Sequence, residues 1–442
     1  MDANEIKRLD KEHYLHSWSV QGPLNPEIFD HGQGAYYWTA DGKRYLDLAS
    51  QLMNLNTGYQ HPKIVKAIQV QAEKSCYCGP GFATEERSRL MEALSRIMPG
   101  DLKYYFLTLG GAESNENAIK IARLYSGKFK ILSRYRSYHG ATFGAITLSG
   151  DPRRPPVEPG IPGVVHVLDP FCYRCSFHLN PQTCGLQCAN HIEEIIQYEN
   201  PDTVAAIFME GVTGSNGIIV PPPGYMARVR EICDHYKVLL ICDEVMSGFG
   251  RTGQWFAIQN WNVVPDMITM AKGLTSGYVP LGAVAVSKKI GDYFQDHMLW
   301  CGLTYNAHPL ACGTAVATLK VYEEEGLIEN ARKLGTWLMQ QLEGLKAKHR
   351  CVGDVRGIGL FTAIDLVKDR ATHEPLIPWN AKGSEMTLNK EIYKRIHSKG
   401  IYVSFRWNFL YVIPPLVITQ AQLQEGLDVI DEALSFADKE AA

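Results

Sequence analysis

No run of about 18 apolar residues occurs in the chain, so no segment has the composition of a membrane-spanning helix. The opening residues, MDANEIKRLDKEHYLHSW, are charged and lack the apolar centre of a secretory signal. Charge of one sign is lacking too: 44 Lys and Arg face 47 Asp and Glu, a net charge of -3, with no basic stripe and no acidic tail. That balance argues against nucleic acid or an anionic membrane surface as a partner. No repeat or low-complexity stretch is visible, and the cytoplasm is the expected compartment. What is present is ordinary for a soluble globular enzyme: 45% hydrophobic and 21% charged residues. A chain of 442 residues fits about three domain-sized units, or one large domain and a smaller one. It can bury a large core without disulfides or metals.

The pattern along the chain is coarse but readable. HGQGAYYWTADGKRYLDLAS reads as a hairpin turning at Asp41-Gly42. From about residue 100, apolar strands alternate with amphipathic helices. Strands are expected at 104–109, 129–132, 203–209, 238–242, 267–270 and 283–286. Helices are expected after Gly110-Gly111, where Ala118, Ile121, Ala122 and Tyr125 share one face, and from about 225 to 236. A long helical stretch runs from about 310 to 348, and shorter strands and helices follow. Continuous apolar strands among such helices imply an α/β fold, a mostly parallel sheet covered on both faces. Ligands then gather at the carboxyl ends of the strands. Residues 1–60 are expected to form an N-terminal segment packing with a small domain at 311–442, around a large domain at 61–310.

The chemistry-bearing motifs sit just after those strands. In LLICDEVMSGFGRTG, Asp243 and Glu244 close a buried strand, where a carboxylate can stabilise a cation within the fold. In MITMAKGLTSG, Lys272 closes another; partly desolvated, a lysine there has a lowered pKa and a nucleophilic amine. The two are 29 residues apart and are far more specific together than either alone. Gly110-Gly111-Ala112, between a strand and a helix N-terminus, can cup a phosphate. Tyr138, ahead of His139-Gly140, can stack on a flat ring and offer its hydroxyl.

Together these elements resemble the class III aminotransferases, fold-type-I pyridoxal-phosphate enzymes, over nearly the whole chain from GAYYWTADGKRYLD to IPPLVIT. The resemblance implies a large domain with a mostly parallel, seven-stranded sheet, a smaller C-terminal α/β domain, and pyridoxal 5'-phosphate as cofactor. It implies that Lys272 bonds the cofactor and that Asp243 partners its ring nitrogen. Val245 and Tyr138 would pack on opposite faces of the ring, with His139 and Glu210 close by. Gly111 and Ala112 would hold the phosphate through backbone N–H groups. Thr304, in CGLTYNAHP, matches a threonine that reaches the cofactor phosphate of the neighbouring subunit, which implies a homodimer with shared sites, or a tetramer built from it.

Departures from the family narrow the subgroup. Ser215 stands where ornithine and 4-aminobutyrate enzymes carry a glutamate, and Tyr411 replaces their arginine before the Pro-Pro pair. Arg406, in VSFRWNF, resembles instead the mobile arginine of the ω-transaminases, suited to an acidic group by its forked donors. Trp18, in WSVQG, and the LASQLMNLNTGYQHP segment resemble enzymes acting on taurine and short ω-amino acids, with Leu52 and Met53 against the substrate. The implied reaction moves an amino group from a taurine- or β-alanine-type amine to pyruvate or 2-oxoglutarate in ping-pong order. An aminomutase or epimerase on the same scaffold is one alternative, and a cofactor-binding regulatory protein without catalysis another. Cys172, Cys175, Cys184 and Cys188 give C-x2-C-x8-C-x3-C, compatible with a four-thiolate zinc site or with a loop of reduced, partly buried thiols; no metal ligand is assigned.

Overall fold

Seven apolar strands form the centre of the computed structural model, which describes residues 1–441. Across the sheet they run Leu102–Thr108, Gly282–Ser287, Met267–Met270, Leu239–Asp243, Val204–Glu210, Lys130–Arg134 and Val164–Val167. Gly282–Ser287 is antiparallel to both of its neighbours. All other neighbours pair in parallel. Every residue of the two central strands Val204–Glu210 and Leu239–Asp243 is buried. The two-residue period of a strand divides these apolar runs between two cores. Phe208 and Ile241 face Ala118, Ile121 and Ala122 of the helix Gly111–Ser126. Ile207, Met209, Leu240 and Cys242 face Val229, Ile232 and Cys233 of the helix Tyr225–Tyr236. Each buried aliphatic side chain here contributes about 1.5–3 kcal/mol, which is why the runs show no polar alternation.

Two smaller sheets flank this one. The strands Phe29–Gln33, Tyr36–Thr39 and Arg44–Asp47 form an antiparallel meander through the expected turn. Its last strand pairs in parallel with Ile401–Tyr402 near the other end of the chain. The strands Val352–Gly357, Thr362–Asp369, Phe409–Val412 and Ser404–Arg406 form a third, antiparallel sheet, with Glu374–Pro375 beside Thr362–Asp369. Buried Arg251 ties these parts together: it donates to Ser50 Oγ and Asn56 Oδ1, each at 2.7 Å, and to the Pro414 carbonyl.

Two details differ from the sequence reading. The stretch from 310 to 348 is two helices, Pro309–Glu324 and Leu327–Lys348, broken at Gly326, whose φ of +61° turns the chain in a conformation glycine adopts without strain. The strand Val164–Val167 adds an edge that no expected element covered. Among the described residues, no helix is long and apolar enough to cross a membrane.

Candidate active site

The strands ending at Thr108, Glu210, Asp243 and Met270 all point the same way, so their carboxyl ends form one rim. Asp243 is buried at the centre of it. Its Oδ2 accepts from Asn115 Nδ2 at 2.9 Å and lies 2.7 Å from His139 Nδ1, while its Oδ1 accepts from the Val245 amide at 2.9 Å. A carboxylate only accepts, so His139 presents its proton on Nδ1 and takes Ser133 Oγ, 3.3 Å away, on Nε2. Asn115 also donates to the His139 carbonyl at 2.5 Å, which fixes both partners against one another. Neither Asn115 nor Ser133 carried a signal in the sequence beyond its place near a motif. Glu210 is held the same way: Oε1 accepts from the Tyr138 amide at 3.2 Å and Oε2 from the Gly214 amide at 2.6 Å. Burial raises its pKa above the ordinary carboxylate value.

Lys272 opens a short turn, Lys272–Leu274, one residue beyond the strand Met267–Met270. Its φ of +41° lies in the left-handed region, which costs a non-glycine residue about 1–3 kcal/mol. Neighbours hold it there: the Leu274 amide donates to the Ala271 carbonyl at 2.9 Å, and Tyr322 Oη to the Gly273 carbonyl at 2.8 Å. The Lys272 side chain is half-buried, and burial pulls its amine down to about 8, against the opposing pull of Asp243 and Glu210. A strained, partly desolvated lysine with an available amine is a nucleophile rather than a structural cation.

The helix Gly111–Ser126 begins at the same rim with no side-chain cap at Gly110, leaving its first amides free for an anion. Gly111 touches Val245: a Cβ placed on Gly111 would stand 2.7 Å from Val245 Cγ1. The structure thus brings Gly111, Ala112, His139, Glu210, Asp243, Val245 and Lys272 to one strand-end rim, and the residues present fit a phosphorylated aromatic aldehyde. An uncapped helix N-terminus suits its phosphate, a buried carboxylate its ring nitrogen, and a nucleophilic amine its carbonyl carbon.

Tyr138 carries the site outward. The Arg153 guanidinium lies over its ring, 3.4 Å from the centroid and 5.5 Å from that of Trp18. Trp18 in turn meets Tyr138 edge-on at 6.3 Å. Arg153 grips the buried Asp151 through Nε (3.1 and 3.0 Å) and Nη2, and donates to Ser215 Oγ at 3.0 Å. Arg406 Nη2 reaches the same carboxylate at 3.1 Å. Two cations therefore share one anion beside Tyr138. Arg153 and Asp151 were missed in the sequence, where SGDPRRPPV carries no motif that singles them out. Tyr411 does not enter this group as a charge; its Oη donates to the Ser215 carbonyl at 2.8 Å and braces the loop.

Other expected residues stand differently. Leu52 is exposed, while Met53 packs against the cluster holding Phe409 and Tyr411. Thr304 is exposed, its carbonyl accepts from Tyr77 Oη at 2.8 Å, and no hydrogen bond among the described residues links it to the Lys272 rim. Cys172, Cys175, Cys184 and Cys188 line one small cavity together with Phe171, Phe177 and Leu186. Among the described residues, no group of three or more His, Cys, Asp or Glu is placed to hold a metal ion. Burial raises the Cys172 thiol and pushes Cys188 up to about 11.

A mostly parallel seven-stranded sheet with this carboxylate, amine and anion cup on its carboxyl rim defines a fold-type-I pyridoxal-phosphate enzyme. Residues 20–434 match the family model described as aminotransferase class-III, and the chain belongs to that family. A taurine–pyruvate aminotransferase of Bilophila wadsworthia is 37% identical, over 99% of this chain and 98% of its own. The crystal structure of taurine:2-oxoglutarate aminotransferase from Bifidobacterium kashiwanohense, in complex with pyridoxal phosphate and glutamate, superposes with a TM-score of 0.96. That protein is 43% identical, and the match covers 100% of this chain and 99% of that one. A leucine/methionine racemase of Thermococcus litoralis is 36% identical over 93% of this chain and 91% of its own. The protein is a pyridoxal-phosphate-dependent transaminase.

Proposed function

We propose that the protein transfers the amino group of a short amine bearing an acidic group, of the taurine or β-alanine type, to pyruvate or 2-oxoglutarate. The observation that carries this reading is the pair of guanidiniums, Arg153 and Arg406, set beside Tyr138 and Trp18 at the outer edge of the rim. Forked donors of this kind suit a sulfonate or carboxylate, and the taurine-named relatives agree with it.

In this reading Lys272 Nζ bonds the cofactor, and Asp243, oriented by Asn115 and His139, holds a proton on the ring nitrogen. When bound, the cofactor supplies a carbonyl carbon for the amino group and a ring that draws electrons from the substrate carbon. Gly111 and Ala112 amides hold the phosphate, Val245 and Tyr138 enclose the ring, and Glu210 braces the Tyr138 backbone. With a lowered pKa that leaves its amine free, Lys272 Nζ would take the proton from the substrate carbon and deliver it to the carbon on the other side of the transferred nitrogen. Arg153, Arg406 and Trp18 bind the acidic end, with Leu52 and Met53 bordering it. Thr304 serves the phosphate of a second subunit, so the working unit is a homodimer. The small domain at 311–442 and the N-terminal 60 residues close over the large domain, in the cytoplasm, where eleven free cysteines stay reduced.

A donor–acceptor panel tests the reading: taurine, β-alanine, 4-aminobutyrate and an aromatic amine against pyruvate and 2-oxoglutarate. Acid-bearing donors should give the highest kcat/KM, and preference for the aromatic amine would refute the assignment. The racemase relative motivates one rival reaction, and the measure that separates the two is keto acid consumed per amine: one for transfer, none for racemisation.

A further inference from the structure

Asp151 is an uncommon kind of buried residue, a fully enclosed carboxylate with two guanidiniums on it and neither of them its neighbour in a sheet or helix. The two arginines are held unequally. Arg153 presents its whole Nε–Nη2 edge to the carboxylate, and its backbone amide donates to Oδ1 at 2.9 Å as well. Arg406 makes one side-chain hydrogen bond, Nη2 to Oδ2 at 3.1 Å, with its guanidinium 4.3 Å from the centroid of the Trp407 ring, and its buried Nε has no hydrogen-bond partner among the described residues. Asn216 Nδ2, at 3.3 Å from Oδ2, completes the shell around the anion. Burial would raise the Asp151 pKa, but Arg153 and then Arg406 outweigh it, and the net shift is downward, so the anion persists between them.

We infer that Asp151 is the positioning residue of the acid-binding pair: it fixes Arg153 as a stationary receptor and holds Arg406 by a single exchangeable contact. This rests on the proposed use of acid-bearing amines. With its Nε edge clamped and Nη2 also on Ser215, Arg153 keeps Nη1 for an incoming acid. Arg406, with an unpaired donor and one bond to break, is the member able to move towards a charged substrate or away from an uncharged one. Asp151 also offsets one of the two adjacent positive charges and so weakens their mutual repulsion when no acid is bound, leaving a net positive charge for the acid.

The test uses the holoenzyme and ethanesulfonate, which carries the acidic group and no amine and so binds without reacting. Asp151→Asn keeps the shape and removes the charge. Its Kd for ethanesulfonate and KM for taurine should each rise about tenfold, the scale of one reoriented charge-assisted hydrogen bond, with kcat for taurine falling much less. The ratio of kcat/KM for taurine to that for 1-phenylethylamine should fall by a similar factor. Equal losses for both amines, or unaltered ethanesulfonate binding, would overturn the positioning role. If the Asn variant does not retain cofactor, Asp151→Glu carries the same test, since it keeps the charge but displaces it by one methylene and should show the same split between KM and kcat. Wild-type enzyme that neither binds ethanesulfonate nor accepts an acid-bearing amine would overturn both the substrate reading and this inference. Wild-type binding matched by the Asn variant would overturn the inference alone.

Discussion

Lys272 offers the most direct test of the site's electrostatics. Burial penalises the charged ammonium, so the folded protein releases the proton at about pH 8 instead of the ordinary 10.5. At pH 7 about one amine in ten is then neutral, against roughly one in three thousand for a free lysine. The attacking species is therefore enriched by about 300-fold, which is ten raised to the difference of the two values. The assay is reconstitution: cofactor is stripped from the protein, and its recombination with added pyridoxal phosphate is followed by visible absorption across pH. Nα-acetyl-lysine measured in parallel removes the cofactor's own titrations from the comparison. The protein's rate should climb about tenfold per pH unit and level off near 8, while the reference keeps climbing towards 10.5. The sign also fixes a stability effect. A lysine with a lowered folded pKa binds fewer protons when folded, so the apoprotein gains stability as pH rises from about 8 to 10.5, and Lys272→Met removes that gain. A reconstitution profile that tracks free lysine through pH 10 would refute the reasoning.

Three further outcomes follow from the geometry. Asp243→Asn places an amide against the Asn115 and His139 donors and removes the charge; turnover should fall by about two to three decades, read from single-turnover rates of the purified holoenzyme. Gly111→Ala should loosen the cofactor, because the added Cβ meets Val245 Cγ1 at 2.7 Å, and Val245→Ala in the same chain should recover part of the loss in cofactor Kd. Arg406→Ala should lower kcat/KM for taurine, β-alanine and keto acids by roughly one to two decades relative to an acid-free amine, measured in the donor–acceptor panel.

How much of this was legible depends on how each part is encoded. Asp243 and Lys272 stood out because a charge ends an otherwise unbroken apolar run, and that contrast is local. The sheet was legible for the same reason: strands such as Leu239–Asp243, buried on both faces, have no alternation to obscure them. Arg153 and Asp151 were not legible. Their meaning depends on Tyr138, Ser215 and Arg406, from three other segments, and nothing periodic marks a loop that brings distant charges together. The helix break at Gly326 was hidden by apolar spacing that continues on both sides of it. The cysteine spacing is compatible with zinc or with a loop of reduced thiols, and nothing in it foretells that the four thiols share a cavity with Phe171 and Phe177.

The parallel pairing of Ile401 with Leu46 has a consequence for how the molecule is made. The partners are 355 positions apart (401 minus 46), so this contact cannot form until nearly the whole chain has left the ribosome. The seven-stranded sheet needs only residues 102–287 and can assemble first from nearer contacts. Arg406 lies five residues beyond Ile401, on the next strand, Ser404–Arg406, which pairs with the still later Phe409–Val412. A nascent chain would thus acquire the rim that holds Asp243 and Lys272 before it acquires the arginine proposed to select the substrate. Cofactor could then meet its cup while the acid-binding end has Arg153 and Asp151 but still lacks Arg406, and binding it can stabilise the larger sheet before the C-terminal strands close.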